Sequence, residues 1–157
     1  ISSKFTDELQ ILHKKYDLLR MMLWARSIEL KKNCPQEFHT VVYFFNYSSE
    51  DIETRAQQST FARLLNELKN KHGGEILLIP VAANLDLESV NLVLEKYNLN
   101  KIPALVIDEN KIVKEIVTFD ELENIVFEKD NFKQLEGTAF EKAQLDKPEK
   151  IILKANK

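Results

Sequence analysis

The chain has 157 residues, 44% hydrophobic and 30% charged, with a net charge of −3, which suits one globular domain with a substantial core plus an extension. Charges of both signs are interspersed, so no basic stripe marks a nucleic-acid surface, and no apolar run nears the ~20 residues that span a bilayer. The single cysteine, Cys34, allows no intrachain disulfide; His13, His39 and His72 match no metal-ligand spacing, and Gly73, Gly74 and Gly137 are too few for a glycine-rich phosphate loop. No cofactor, metal or nucleic acid is expected.

Residues 5–32 read as one long helix. Phe5, Leu9, Leu12, Tyr16, Leu19 and Leu23 alternate by four and three, the spacing of a coiled-coil seam. From Leu18 the pattern broadens through Met21, Met22, Trp24, Ala25 and Ile28 to cover most of the circumference. A helix apolar on most sides is expected to be buried on most sides. The second half is therefore expected to pack on the domain, and the first half to project or pair. Phe5, Leu9, Leu12, Tyr16 and Leu19 are the candidate self-association residues. Asn33 and Pro35 stop the helix, giving an N-terminal segment of residues 1–33.

Residues 40–46, with Val41, Val42, Tyr43, Phe44 and Phe45, form a continuous β-branched and aromatic run, as in a strand buried on both sides. Ser48 and Ser49 are expected to cap the next helix, with Glu50, Asp51 and Glu53 in its first turn. Phe61, Leu64, Leu65 and Leu68 give that helix its core side, and Gly73-Gly74 ends it. Residues 76–82 form a second strand containing Pro80; Val90, Val93, Leu94 and Tyr97 mark a helix. Residues 104–107 and 112–117 are strands joined by a tight turn at Glu109-Asn110. Thr118 and Glu121 make a capping box for a last helix through Leu122, Ile125 and Val126. Residues 129–157 form a polar tail in which only Ile151-Ile152-Leu153 looks strand-like.

A βαβ unit implies parallel strands with a right-handed crossover, and a short turn implies an antiparallel pair. The combination of Val81-Ala82, Asp86, Tyr97 and Ile102-Pro103, followed by a hairpin and an amphipathic helix, resembles the thioredoxin fold over residues 40–128. The resemblance implies a four-stranded mixed α/β sheet with flanking helices. It also implies a cis peptide bond at Ile102-Pro103. The first strand of the full thioredoxin fold is missing, which leaves residues 76–82 on an edge. Pro80 fits there, since it has no amide for a central strand to donate.

In that family a Cys-x-x-Cys pair sits where the first buried strand meets its helix, and the helix N-terminus stabilises a thiolate. Here the segment is Asn46-Tyr47-Ser48-Ser49-Glu50-Asp51, without sulfur and without a histidine to activate a serine. No catalytic residue is expected. The leading expectation is a redox-inactive protein-binding or scaffold module with a protein or peptide partner. The groove beside Pro103, lined by Tyr47, Ser48, Ser49 and Ile102, would take an extended chain by β-addition. Two alternatives are a thiol-dependent redox protein acting through Cys34 and a structural module that dimerises or is membrane-tethered through its N-terminal helix. Because the chain begins with Ile1 rather than methionine, a membrane-anchored extracytoplasmic location is expected ahead of a cytoplasmic one.

Overall fold

The computed structural model describes residues 2–33 and 38–128, with side chains from Lys4 onward. Helix α1, Ser2–Asn33, precedes strand β1, His39–Phe45, and helix α2, Ile52–His72. After a 3₁₀ turn at Gly73–Glu75 come strand β2, Ile76–Ala82, and helix α3, Glu88–Lys96. Strands β3, Ala104–Ile107, and β4, Lys111–Val113, lead to helix α4, Phe119–Phe127.

The four strands form one mixed sheet in the order β2-β1-β3-β4. β1 runs parallel to β2 over its whole length and antiparallel to β3, with Phe44 opposite Ala104. β3 and β4 are antiparallel. This is the thioredoxin-like arrangement expected from the sequence, with Pro80 on the edge strand. The strand-like run at residues 151–153 lies outside the described residues, as do Cys34 and the rest of the tail.

Strand alternation sorts the core into two layers. Val42, Phe44, Ile79, Val81, Ala104 and Val106 point to one side, where they meet Trp24 of α1, Val90 of α3 and Leu99. On the other side the Tyr43 ring lies 6.1 Å from that of Phe61, and Phe61, Leu64, Leu65 and Leu68 of α2 are buried. Lys71 and His72 of α2 both reach Glu123 of α4, whose Leu122 and Val126 are buried.

Four local expectations need correction. Asp51, not Ser48 or Ser49, is the N-cap of α2: its side chain accepts hydrogen bonds from the Thr54 amide and hydroxyl at 2.8 and 2.6 Å. A carboxylate offers two acceptors to the helix start, and the helix begins where it stands. The hairpin turn is centred on Asp108 and Glu109, one residue earlier than expected, with φ of 46° and 63°. Both central residues take the left-handed conformation, and the Asn110 amide closes the turn on the Ile107 carbonyl at 3.2 Å, within a three-residue connection that pairs Ile107 with Lys111. β4 starts at Lys111 and ends at Val113, short of the expected Val117, because its partner β3 begins only at Ala104 and their ladder ends with Leu105 opposite Val113. The fourth correction is on α1, whose second half is buried on one side only.

At the end of α3, Asn98 enters the left-handed region with φ of 51°, and the Leu99 amide returns to the Leu94 carbonyl at 2.8 Å. The following Ile102-Pro103 peptide bond is cis.

Candidate functional site

Helix α1, about 48 Å long at 1.5 Å per residue, has two unlike sides. Towards the sheet it presents His13, Asp17, Met21, Trp24, Ser27, Ile28 and Lys31, a set that recurs every three to four residues apart from the adjacent Ser27 and Ile28. Its fixed points are polar. Asp17 is only 1% exposed and accepts the Ala82 amide at 3.2 Å, at the outer edge of β2, where that strand has no neighbour among the described residues. Burial raises the Asp17 pKa above the ordinary carboxylate value, although the hydrogen bonds from Arg20 and Ala82 oppose it. Trp24, 4% exposed, stacks on Tyr97, meets Phe44 edge-on and donates its Nε1–H to Glu109 at 2.9 Å.

Lys31 completes the attachment at the hairpin turn. Its Nζ donates to Asp108 at 2.7 Å and to the Thr40 hydroxyl at 2.8 Å. Asp108 also meets His39 Nδ1 at 2.6 Å and accepts the Thr40 amide at 3.0 Å. Thr40 donates its hydroxyl to Glu109 at 2.6 Å, and Tyr97 donates its own to the Glu109 carbonyl at 3.1 Å. Burial alone would raise the Asp108 carboxyl; the His39, Lys31 and Thr40 contacts outweigh it and hold the pKa at about 2. Left-handed backbone at a non-glycine residue costs of order 1–3 kcal/mol, and this network is what offsets it at Asp108 and Glu109.

The other sides of α1 carry its large apolar residues. Phe5, Leu9, Leu12, Tyr16, Leu19 and Leu23 are all exposed, Phe5 by 65% and Leu19 by 60%, and so are Ile11, Leu18, Met22 and Leu30. The expectation that the second half is buried on most sides is therefore overturned: of residues 18–25, only Trp24 is buried. The sheet offers one contact surface, and polar anchors rather than leucines fix which side of the helix meets it. Every side chain from Lys4 to Leu12 is exposed, and the close approach to the domain begins at His13. The tilted His13 ring lies 4.4 Å from that of Tyr47.

That contact brings α1 to the junction of β1 and α2. The Tyr47 amide donates to Asn84 at 2.7 Å, while Ser48 is exposed and Ser49 half-buried. The amide and carbonyl of Asn46 are both engaged by the Gln58 side chain. Thr54 hydrogen bonds lower the Asp51 pKa, so the first turn of α2 already holds an anion of its own. Across the sheet, Pro103 is buried and Ile102 packs half-buried against the Trp24 core. The β1–β3 ladder stops at the Phe44–Ala104 pair, so Ile102 lies past its last rung. The α2 side of the sheet has a shallow depression of about 370 Å³ lined by Tyr43, Phe45, Arg55, Gln58, Ser59 and Ala62. Burial pushes the Tyr43 hydroxyl there up to about 12, so it stays protonated and donates to the Gln58 carbonyl at 3.2 Å.

No protein-family model matches the chain, and no curated protein does. Among solved structures it is similar to a chain described as the "Structure of a malarial protein", at 17% identity and a TM-score of 0.41, over 57% of this chain and 93% of that one. It is also similar to thioredoxin O2 from Arabidopsis thaliana in its oxidized state, at 16% identity and a TM-score of 0.41, over 66% and 84% of the two chains. The fold described here rests on strand order, direction and register.

The polar anchors escaped the sequence reading because apolar periodicity tracks leucines, and here the leucines mark the free side. One signal was available: Asp17, Trp24 and Lys31 repeat at seven-residue intervals and so share one side of the helix.

Proposed function

We propose that the chain is a non-catalytic protein-binding module that presents the outer side of α1 as its docking surface. The observation that supports this most is the division of α1: polar contacts attach one side to the sheet, and the large apolar residues are left in solvent. Contiguous exposed apolar surface on a folded domain marks an interaction site, and a seam of this kind takes a helix. Against catalysis stand the absence of sulfur from residues 46–51 and the Asp51 carboxylate in the α2 N-terminus, where relatives of the thioredoxin type hold a thiolate. The test is insulin disulfide reduction by the purified chain, expected to stay at the background of a free thiol. Catalytic turnover that disappears in Cys34→Ser would instead support the thiol-dependent alternative.

A second reading keeps the groove beside Pro103 as a site for an extended peptide. It is supported by the position of Ile102 past the last β1–β3 rung and by exposed Ser48 at the start of α2. Peptide binding that Ser48→Trp blocks and Leu12→Glu spares would favour the groove over the helix.

A further inference from the structure

We infer that the partner of the α1 docking side is a second copy of this chain, paired antiparallel through residues 5–23. The inference deepens the reading of α1 as a docking surface and rests on it. Reversing the six-residue seam about position 14 sets Phe5 against Leu23 of the second copy, Leu9 against Leu19, and Leu12 against Tyr16. Each pair joins the two kinds of seam position, as antiparallel packing of two helices requires. A parallel, in-register pair has a cost that the antiparallel one lacks. The seam position after Leu23 is Arg26, which parallel pairing would stack on Arg26 of the other copy, whereas the antiparallel pair leaves it beyond Phe5. There it keeps its exposed ion pair with Glu29 at 2.7 Å.

The domain leaves room for this arrangement. Because α1 touches its own sheet only from His13 onward, the free turns of residues 4–12 in one copy lie along the docked half of the other. The two sheets then sit towards opposite ends of the pair. The contact is isologous, each copy offering the same surface, and so closes as a dimer. The exposed parts of the six seam residues amount to roughly 600 Å² per copy, about 1,200 Å² for the pair, at the lower end of a specific interface.

The test is the mass of the full chain in solution across about 1 to about 200 μM, a range that suits an interface of this size. The expected result is a rise from 18.3 kDa towards twice that value. Leu12→Glu should weaken dimerisation by at least about 100-fold, because the substitution enters the seam twice. Leu92→Glu, at an exposed apolar residue of α3, should leave it unchanged. In a Cys34→Ser background, Phe5→Cys and Leu23→Cys chains should form a disulfide when mixed and oxidised, but not separately. One-chain mass at every concentration, a mass above two chains, or cross-linking of either variant alone overturns the inference. A chain that stays monomeric and shows no disulfide turnover overturns the self-pairing and leaves the non-catalytic reading standing.

Discussion

The two sides of α1 invert the usual division of a surface helix. Towards the sheet stand a carboxylate, an indole N–H, a serine and an ammonium group; towards solvent stand phenylalanine, tyrosine and leucines. Burying an unpartnered polar group costs more than leaving a leucine in water, so each inward polar group must have a specific acceptor or donor. Those partners exist at only one rotation of the helix. Asp17 needs the Ala82 amide, Trp24 needs Glu109, and Lys31 needs Asp108. The comparison teaches that polar pairs set how this helix docks, while its apolar surface remains available to something else.

If the inward side carries the docking energy, Trp24→Ala should have the largest effect, lowering stability by about 3–5 kcal/mol in chemical denaturation, since it empties a core site and removes one of the hydrogen bonds to Glu109. Next comes the turn. Asp108 titrates at about 2 when folded, against 3.8 ordinarily, so its contribution is complete above about pH 4 and is lost as pH falls towards 2. Asp108→Asn should therefore cost about 2 kcal/mol at neutral pH and remove this acid dependence from the stability curve. Asp17 runs the other way. Its raised pKa means that folding favours its protonated form, so its contribution weakens as pH rises from 3.8 through the folded value. Asp17→Asn should flatten that opposing slope, and a pH series of denaturation midpoints separates the two carboxyls.

Much of the sheet was legible because buried strands write continuous apolar runs. Residues 76–82 and 104–107 carry their bounds in the sequence, and Pro80 marks the edge by the amide it lacks. The capping box also forms, with Glu121 accepting from the Thr118 amide at 2.8 Å and Thr118 Oγ accepting from the Glu121 amide at 3.3 Å. What sequence could not supply was long-range pairing. Nothing near Lys31 announces Asp108, 77 residues away, and nothing near Asp17 announces the Ala82 amide. Apolar density in residues 18–25 suggested burial, yet a helix on one sheet has only one contact side. The serines before α2 looked like caps, but the Asp51 carboxylate, accepting both the Thr54 amide and hydroxyl, fixed the helix start instead.

A smaller effect is expected at Asp51, which belongs to neither side of α1. Asp51→Ala should lower the midpoint by less than the Asp108 substitution and release the first amides of α2, read as faster hydrogen exchange at Thr54. It serves as the baseline for a lost surface cap.

The smallest effect is the most informative. Leu19 lies in the seam and is largely exposed, five residues before buried Trp24. Leu19→Ala should change the unfolding free energy by no more than about 0.5 kcal/mol, measured at about 1 μM, where a modest dimer dissociates. A loss of about 2–5 kcal/mol, the cost of emptying a core leucine site, would mean that the seam packs within its own domain and would contradict the division of α1 on which the account depends.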